Sequence, residues 1–135
     1  MPRSGRMILH NDRGEIERAE RELLGAIEQQ GYDRASQFAV RMALEEALSN
    51  AFKHGNKSDK RKTVRLEFQV DEQNVTIDVE DQGEGFDPEC VPDPTDQENV
   101  DIPCGRGLKL MRAFMTDVHI FPPGNRVRMR YEKPE

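Results

Sequence analysis

Two stretches of strict period-two alternation, TVRLEFQV (residues 63–70) and VTIDV (residues 75–79), are separated only by the turn-forming DEQN. Successive side chains of a strand point to opposite faces, so this segment predicts a β-hairpin with one apolar face and one wet face. A hairpin of that kind needs a layer over its apolar side. The preceding sequence supplies one. Ile16, Ala19, Leu23, Ala26 and Ile27 recur at intervals of three and four, predicting an amphipathic helix that starts at Asn11 or Asp12 and is ended by Gly31. Val40, Leu44, Ala47, Leu48 and Ala51 repeat the pattern in a second helix that opens at Asp33 and stops at Gly55. An apolar run at Arg6 to His10 predicts an edge strand. A third helix is expected over about 108–115, then a strand at 118–121, a PPGN turn and a last strand at 127–131. The whole predicts an α+β two-layer sandwich: a mixed, mostly antiparallel sheet of about five strands with about three helices on one face.

At 135 residues the chain is expected to form a single domain, large enough to bury a core without metals or disulfides. Its two cysteines, Cys90 and Cys104, are too few for a stapled secreted scaffold. No apolar run approaches the roughly 20 residues of a membrane span, and the start has too short an apolar stretch for a secretory signal, so a cytoplasmic location is expected. With 20 Lys and Arg against 26 Asp and Glu, the net charge of −6 argues against broad nucleic-acid binding. Apolar periodicity lapses between Asp81 and Gly107, where prolines, glycines and acids dominate. Loops of that length are functional or disordered.

Three clusters carry possible chemistry. Glu46, Asn50 and His54 are spaced four apart and would project from roughly one side of the second helix. A carboxylate and an amide oxygen on adjacent turns suit a hard cation such as Mg²⁺; alternatively the carboxylate serves as a general base. Asp81-Gln82-Gly83-Glu84-Gly85 follows a strand directly. An Asp there can accept from an exocyclic amine, and glycines two apart let a flat ring approach the backbone. Gly105-Arg106-Gly107 opens the third helix, where bare N–H groups and the helix dipole favour phosphate. Each cluster alone is also an ordinary solvated face, turn or helix entry. Their order along one chain is what makes chance improbable.

In that order, EEALSNAFKHGN, DQGEGF and GRGLKLM resemble the N-box and two glycine boxes of the histidine-kinase-like ATPase (GHKL) superfamily. Size and the lack of a phosphoacceptor segment make the bacterial anti-sigma-factor serine/threonine kinases the most similar branch. The resemblance implies a Bergerat-type ATP-binding fold over residues 1–135, with an ATP lid at about 88–104. It implies that Asn50 helps hold Mg²⁺, that Asp81 reads the adenine amine, and that Gly83, Gly85 and the adjoining Phe86 seat the base. Gly105, Arg106, Gly107 and Leu108 would close on the phosphates, with Lys53 and His54 as further phosphate contacts. Glu46 would be the general base. The implied activity is phosphorylation of a small antagonist (anti-anti-sigma) protein, with sequestration of a sigma factor and a homodimer as associated properties. Two alternatives keep the same fold: an ATP-binding switch with little turnover, and a catalytic domain acting on histidine in a separate partner.

Lys109 and the Asn125–Arg126 pair depart from the resemblance, the latter standing where threonine is frequent and touching an indirect adenine contact. His10, His54 and His119 are scattered, and no cysteine spacing suits zinc. Cys90 and Cys104 flank the lid and are expected to be reduced in a cytosol. Met111, Phe114 and Met115 read as core rather than as a partner surface. Arg126, Arg128 and Arg130 share one face of the last strand, where with Arg65 they form a solvated face or a patch for an acidic partner.

Overall fold

A computed structural model describes residues 3–56, 59–83, 110–121 and 125–134. Strand β1 (Arg3–Leu9) leads into α1 (Arg13–Gln29) and α2 (Arg34–Ser49), and a π-helical turn (Asn50–Gly55) extends α2. Strands β2 (Val64–Val70), β3 (Asn74–Glu80), β4 (Asp117–Phe121) and β5 (Arg126–Glu132) complete the sheet in the order β1-β2-β3-β5-β4. Every neighbouring pair is antiparallel, so the expected mixed sheet has no parallel pair among the described strands. The predicted edge strand is β1, three residues longer at its start than the apolar run. A short helical turn over residues 110–114 lies within the expected third helix.

Local chemistry sets the helix ends. The Asp12 carboxylate accepts from the Glu15 N–H at 3.3 Å, and Asp33 accepts from Ser36 N–H at 2.7 Å, each satisfying an orphan donor of a first turn. At the far end of α1, Gly31 adopts φ +84°. This lets Gly31 N–H donate to Glu28 O at 3.0 Å and Tyr32 N–H to Ile27 O at 3.3 Å, a Schellman closure. Lys133 then donates to Gln30 O at 3.0 Å, placing a cation at the negative end of the α1 dipole. Burial pushes the Tyr32 hydroxyl up to about 12, and that hydroxyl donates to Asp71 O at 2.9 Å.

The core lies between the helices and one sheet face. Leu23, Ile27, Leu44 and Leu48 from the helices meet Val64, Leu66, Ile77 and Met129 from the sheet, all buried. Met111 and Met115 join them, and Phe114 packs edge-on against Phe38 at 5.9 Å, as the core reading of that segment expects. Gly5 is required where it stands: a Cβ there would lie 2.6 Å from the Phe68 ring.

The opposite face carries a charge ladder. Register aligns Arg6, Glu67, Asp78, Arg128 and His119 in one rung across all five strands, and Arg65, Glu80 and Arg126 in the next. Arg126, Arg128, Arg130 and Arg65 therefore do share a face, as their alternation predicts. They are not a free cationic patch. Arg65 pairs with Glu80 at 2.8 Å, Arg126 and Arg128 with Asp78 at 2.8 and 3.2 Å, and Arg130 with Asp117 at 2.5 Å. Long-range attraction for an acidic partner is largely cancelled where each guanidinium already faces a carboxylate.

Candidate functional site

The helix expected to run unbroken to Gly55 changes its winding at Asn50. Asn56 N–H donates to Ala51 O at 2.8 Å, a five-residue spacing that widens the turn. Turns of this kind recur at functional sites. The α-helical four-residue spacing thus links Glu46 to Asn50, where the winding changes. Glu46 and Asn50 are half-buried. Among the described residues neither side chain has a hydrogen-bond or ionic partner, whereas the adjacent Glu45 is paired with Arg41 at 3.3 Å.

Asp81 sits one residue beyond β3. The alternation that turns Val75, Ile77 and Val79 into the core gives Asp81 the same, helix-facing parity, while Asp78 and Glu80 belong to the ladder face. The Asp81 side chain is buried and accepts from Gly83 N–H at 2.7 Å. Desolvation pushes its carboxyl up to about 6, with repulsion from Glu80 adding to the rise and the Gly83 N–H and Lys62 opposing it. A buried carboxylate without a cation in contact is a functional-site candidate.

The backbone beneath that carboxylate is tied on both sides. Asp81 N–H donates to Asn125 O at 2.8 Å, and the Asn125 side-chain amide donates to Asp81 O at 3.1 Å. From the other side, the buried Asn56 accepts from Gln82 N–H at 2.8 Å and donates to Thr63 O at 3.0 Å. Gln82 Oε1 in turn accepts from Thr63 N–H at 2.7 Å. The end of the π turn and the end of β3 are thus joined directly. Asn56 and Gln82 lie inside two of the motifs singled out in the sequence but had no role there, because nothing in an Asn after a His-Gly pair says that it will be buried. Asn125 stood out only as a departure; its side chain holds Asp81, while Arg126 beside it turns to the ladder face.

Of the residues expected at the site, the structure brings Asp81 and Gly83 together and links them through Asn56 to the turn that begins at Asn50. Glu46 and Lys53 line an open groove of about 460 Å³ with Asn11, Arg13, Ile16 and Glu20 at the start of α1. Burial and the nearby Glu45 raise the Glu20 carboxyl above its usual value. His54 lies in the π turn, its side chain outside the described part of the chain. Gly85, Phe86, Gly105, Arg106, Gly107, Leu108, the expected lid and both cysteines lie outside the described residues. Among the described residues no three His, Cys, Asp or Glu side chains gather as a metal cage, and no helix is long and apolar enough to cross a membrane. The unpartnered amide oxygen of Asn50 suits Mg²⁺, which takes one or two protein oxygens and otherwise water and phosphate, and leaves the Glu46 carboxylate free.

Comparison with known proteins gives a consistent result. The family described as "Histidine kinase-like ATPase domain" matches residues 9–131. The serine-protein kinase RsbW of Oceanobacillus iheyensis is 29% identical over 104 residues, covering 73% of this chain and 66% of that protein. RsbW of Bacillus licheniformis is 32% identical over 110 residues, covering 73% and 65%. An anti-sigma F factor of Clostridium perfringens is 29% identical over 89 residues, covering 64% of each. The chain therefore spans just under two thirds of the length of these relatives. Among solved structures, the RsbU and RsbW domains of Rv1364c from Mycobacterium tuberculosis match with a TM-score of 0.64 at 15% identity, covering 97% of this chain and 32% of that one, a likeness of fold.

Proposed function

Because the chain belongs to the histidine kinase-like ATPase domain family, we propose that it is an ATP-dependent protein serine/threonine kinase of the anti-sigma-factor type. Its substrate would be a small antagonist protein, and a sigma factor a second partner. The observation that carries the reading is the buried, cation-free Asp81 joined through Asn56 to the segment that bears Glu46 and Asn50. In this reading Asp81 accepts from the adenine amine, with Gly83, Gly85 and Phe86 beside the base. Gly105, Arg106, Gly107 and Leu108, with Lys53 and His54, contact phosphate oxygens.

Phosphoryl transfer needs positioning and charge stabilisation more than covalent help from the protein. The substrate hydroxyl oxygen forms a bond to the γ-phosphorus while the bond from that phosphorus to the β–γ bridging oxygen breaks, and ADP leaves. Glu46 takes the hydroxyl proton. Its open groove leaves room for a substrate segment, and its lack of a paired cation leaves it free to accept. Asn50, one turn on, would contribute an amide oxygen to Mg²⁺. When bound, Mg²⁺ neutralises charge on the phosphate oxygens.

The test offers labelled ATP and Mg²⁺ to the protein with candidate antagonist proteins, comparing wild type with Glu46→Gln. The expected result is acid-stable phosphoserine or phosphothreonine on one partner, lost in Glu46→Gln while ATP binding is kept. ATP binding without labelling of any partner would overturn the kinase assignment and leave an ATP-dependent switch. Acid-labile label would point instead to histidine. A thermal titration is the simpler first step: Mg-ATP at 100 times its Kd stabilises by about 2.7 kcal/mol.

A further inference from the structure

The Asp81–Gln82 peptide unit is held at both of its polar atoms by side-chain amides from two different elements. Its carbonyl oxygen accepts from Asn125 at 3.1 Å, at the entry to β5, and its N–H donates to Asn56 at 2.8 Å, at the exit of the π turn. Neither contact is needed for the sheet, because Asp81 lies past the last β3 residue. Nor is Asn56 an incidental surface group: it is 1% exposed, and its side-chain NH₂ donates to Thr63 O. The preceding peptide is held as well, since Asp81 N–H donates to Asn125 O at 2.8 Å, and with both flanking peptide planes fixed the Cα–Cβ direction of Asp81 is fixed too. Its carboxylate is pinned further by Gly83 N–H.

We propose that Asn56 and Asn125 are positioning residues, a two-sided clamp on the Asp81–Gln82 peptide that sets the aim of the Asp81 carboxylate and so the preference for a ring bearing an exocyclic amine. The inference rests on the reading of Asp81 as the base-recognising group. It also explains the departure at Asn125: an amide reaches the Asp81 carbonyl as a donor. The clamp also joins the π turn to the base site, so the ring and the groups at Asn50 and Glu46 keep a fixed separation. Preorganisation of this kind is what converts a hydrogen bond into selectivity, because a site 1 Å too loose no longer discriminates.

The experiment measures direct binding of ATP and of purine riboside triphosphate, which lacks the amine, to wild type, Asn125→Ala, Asn56→Leu and the double variant. A hydrogen bond to a charged group discriminates by about tenfold or more, so wild type is expected to prefer ATP by at least that factor. Each single variant is expected to lose about threefold or more of the preference, and the double variant most of it. Asn56→Asp, which keeps the acceptor for Gln82 N–H, should retain more of the preference than Asn56→Leu. Ile27→Val, a core change on α1, lowers stability without touching the clamp and should leave the preference unchanged. If Asn56→Leu does not fold, Asn56→Ser carries the same test, since it leaves space for a water to satisfy Thr63 and Gln82. Unaltered preference in Asn125→Ala and in the folded Asn56 variant overturns the clamp while the base-site reading stands. Wild type that binds ATP and the amine-free analogue equally overturns both.

Discussion

Asp78 and Asp81 are three residues apart at the end of one strand, both buried, and they meet opposite fates. Asp78 is on the ladder face beneath two guanidiniums. Burial raises its carboxyl, but the hydrogen bonds and charges of Arg126 and Arg128 together outweigh it and hold the group below its usual value. Asp81 is on the helix side, where burial meets only backbone N–H groups and a more distant Lys62, and its carboxyl rises to about 6. The strand and the residue that follows it thus present a carboxylate neutralised by two guanidiniums to one face and a carboxylate held only by a backbone N–H to the other. The first belongs to the architecture. The second is the kind of cost that a fold retains for binding.

The largest expected effect comes from breaking the compensated member. Asp78→Ala leaves Arg126 and Arg128 without their shared carboxylate; the two guanidiniums are 29% and 48% exposed and regain water, so the cost is that of lost charge-assisted hydrogen bonds, about 2 kcal/mol. Urea unfolding should show it as a lowered midpoint with an unchanged slope. ATP affinity of the folded fraction should stay within about twofold, because a group neutralised on the far face has no contact with the base site. A comparable loss of affinity would mean that the two faces are coupled and would erase the contrast.

Asp81→Asn should act with the opposite sign on stability. Between the ordinary value of 3.8 and about 6, the folded protein holds a proton on Asp81 that the unfolded chain has released. Stability contributed by Asp81 therefore falls as pH rises through that window. The amide removes this loss, so the nucleotide-free variant should be more stable than wild type at pH 7 by about 1 kcal/mol, a figure discounted for solvent screening. The same change should weaken ATP binding about tenfold or more, since the amide offers the adenine amine a donor as well as an acceptor. In wild type, ATP affinity should decline as pH falls below about 6. Asp78 should show the reverse linkage: its stabilisation is complete above 3.8 and is lost as pH falls through its lowered folded value.

What could be read from the sequence divides along the same line as these two carboxylates. Period-two alternation in TVRLEFQV and VTIDV, and the threes and fours in both helices, fix which residues are core, because burial of apolar area is a sum over a local pattern. The same alternation assigns Asp78 to the wet face. It cannot say that Arg126 and Arg128 will flank it, since that needs β5 to pair with β3 rather than with β2. Glu46, Asn50 and Asp81 could be singled out as candidates because spacing along a helix and the end of a strand are local. The clamp was not: Asn56 and Asn125 are distant in sequence, and each gains its role only when two chain ends meet at one peptide. The π turn was hidden for a related reason, as a helix pattern of 3.6 residues does not register one widened turn.

The smallest expected effect isolates burial from pairing. Arg6 faces Glu67 in the same rung as Asp78, at 3.2 Å, but with side chains 67% and 39% exposed against 7% for Asp78. Water already solvates both groups, so their attraction is screened and offset by the entropy of holding two long side chains in one geometry. Arg6→Ala should change unfolding free energy by less than about 0.5 kcal/mol and leave its pH dependence intact. Glu67 retains a second guanidinium, Arg65, at 3.8 Å, which limits the loss further. An effect approaching that of Asp78→Ala would mean that the ladder acts as one cooperative network. A negligible one locates its energy where it is desolvated, in the three-residue stretch of β3 that ends at the candidate site.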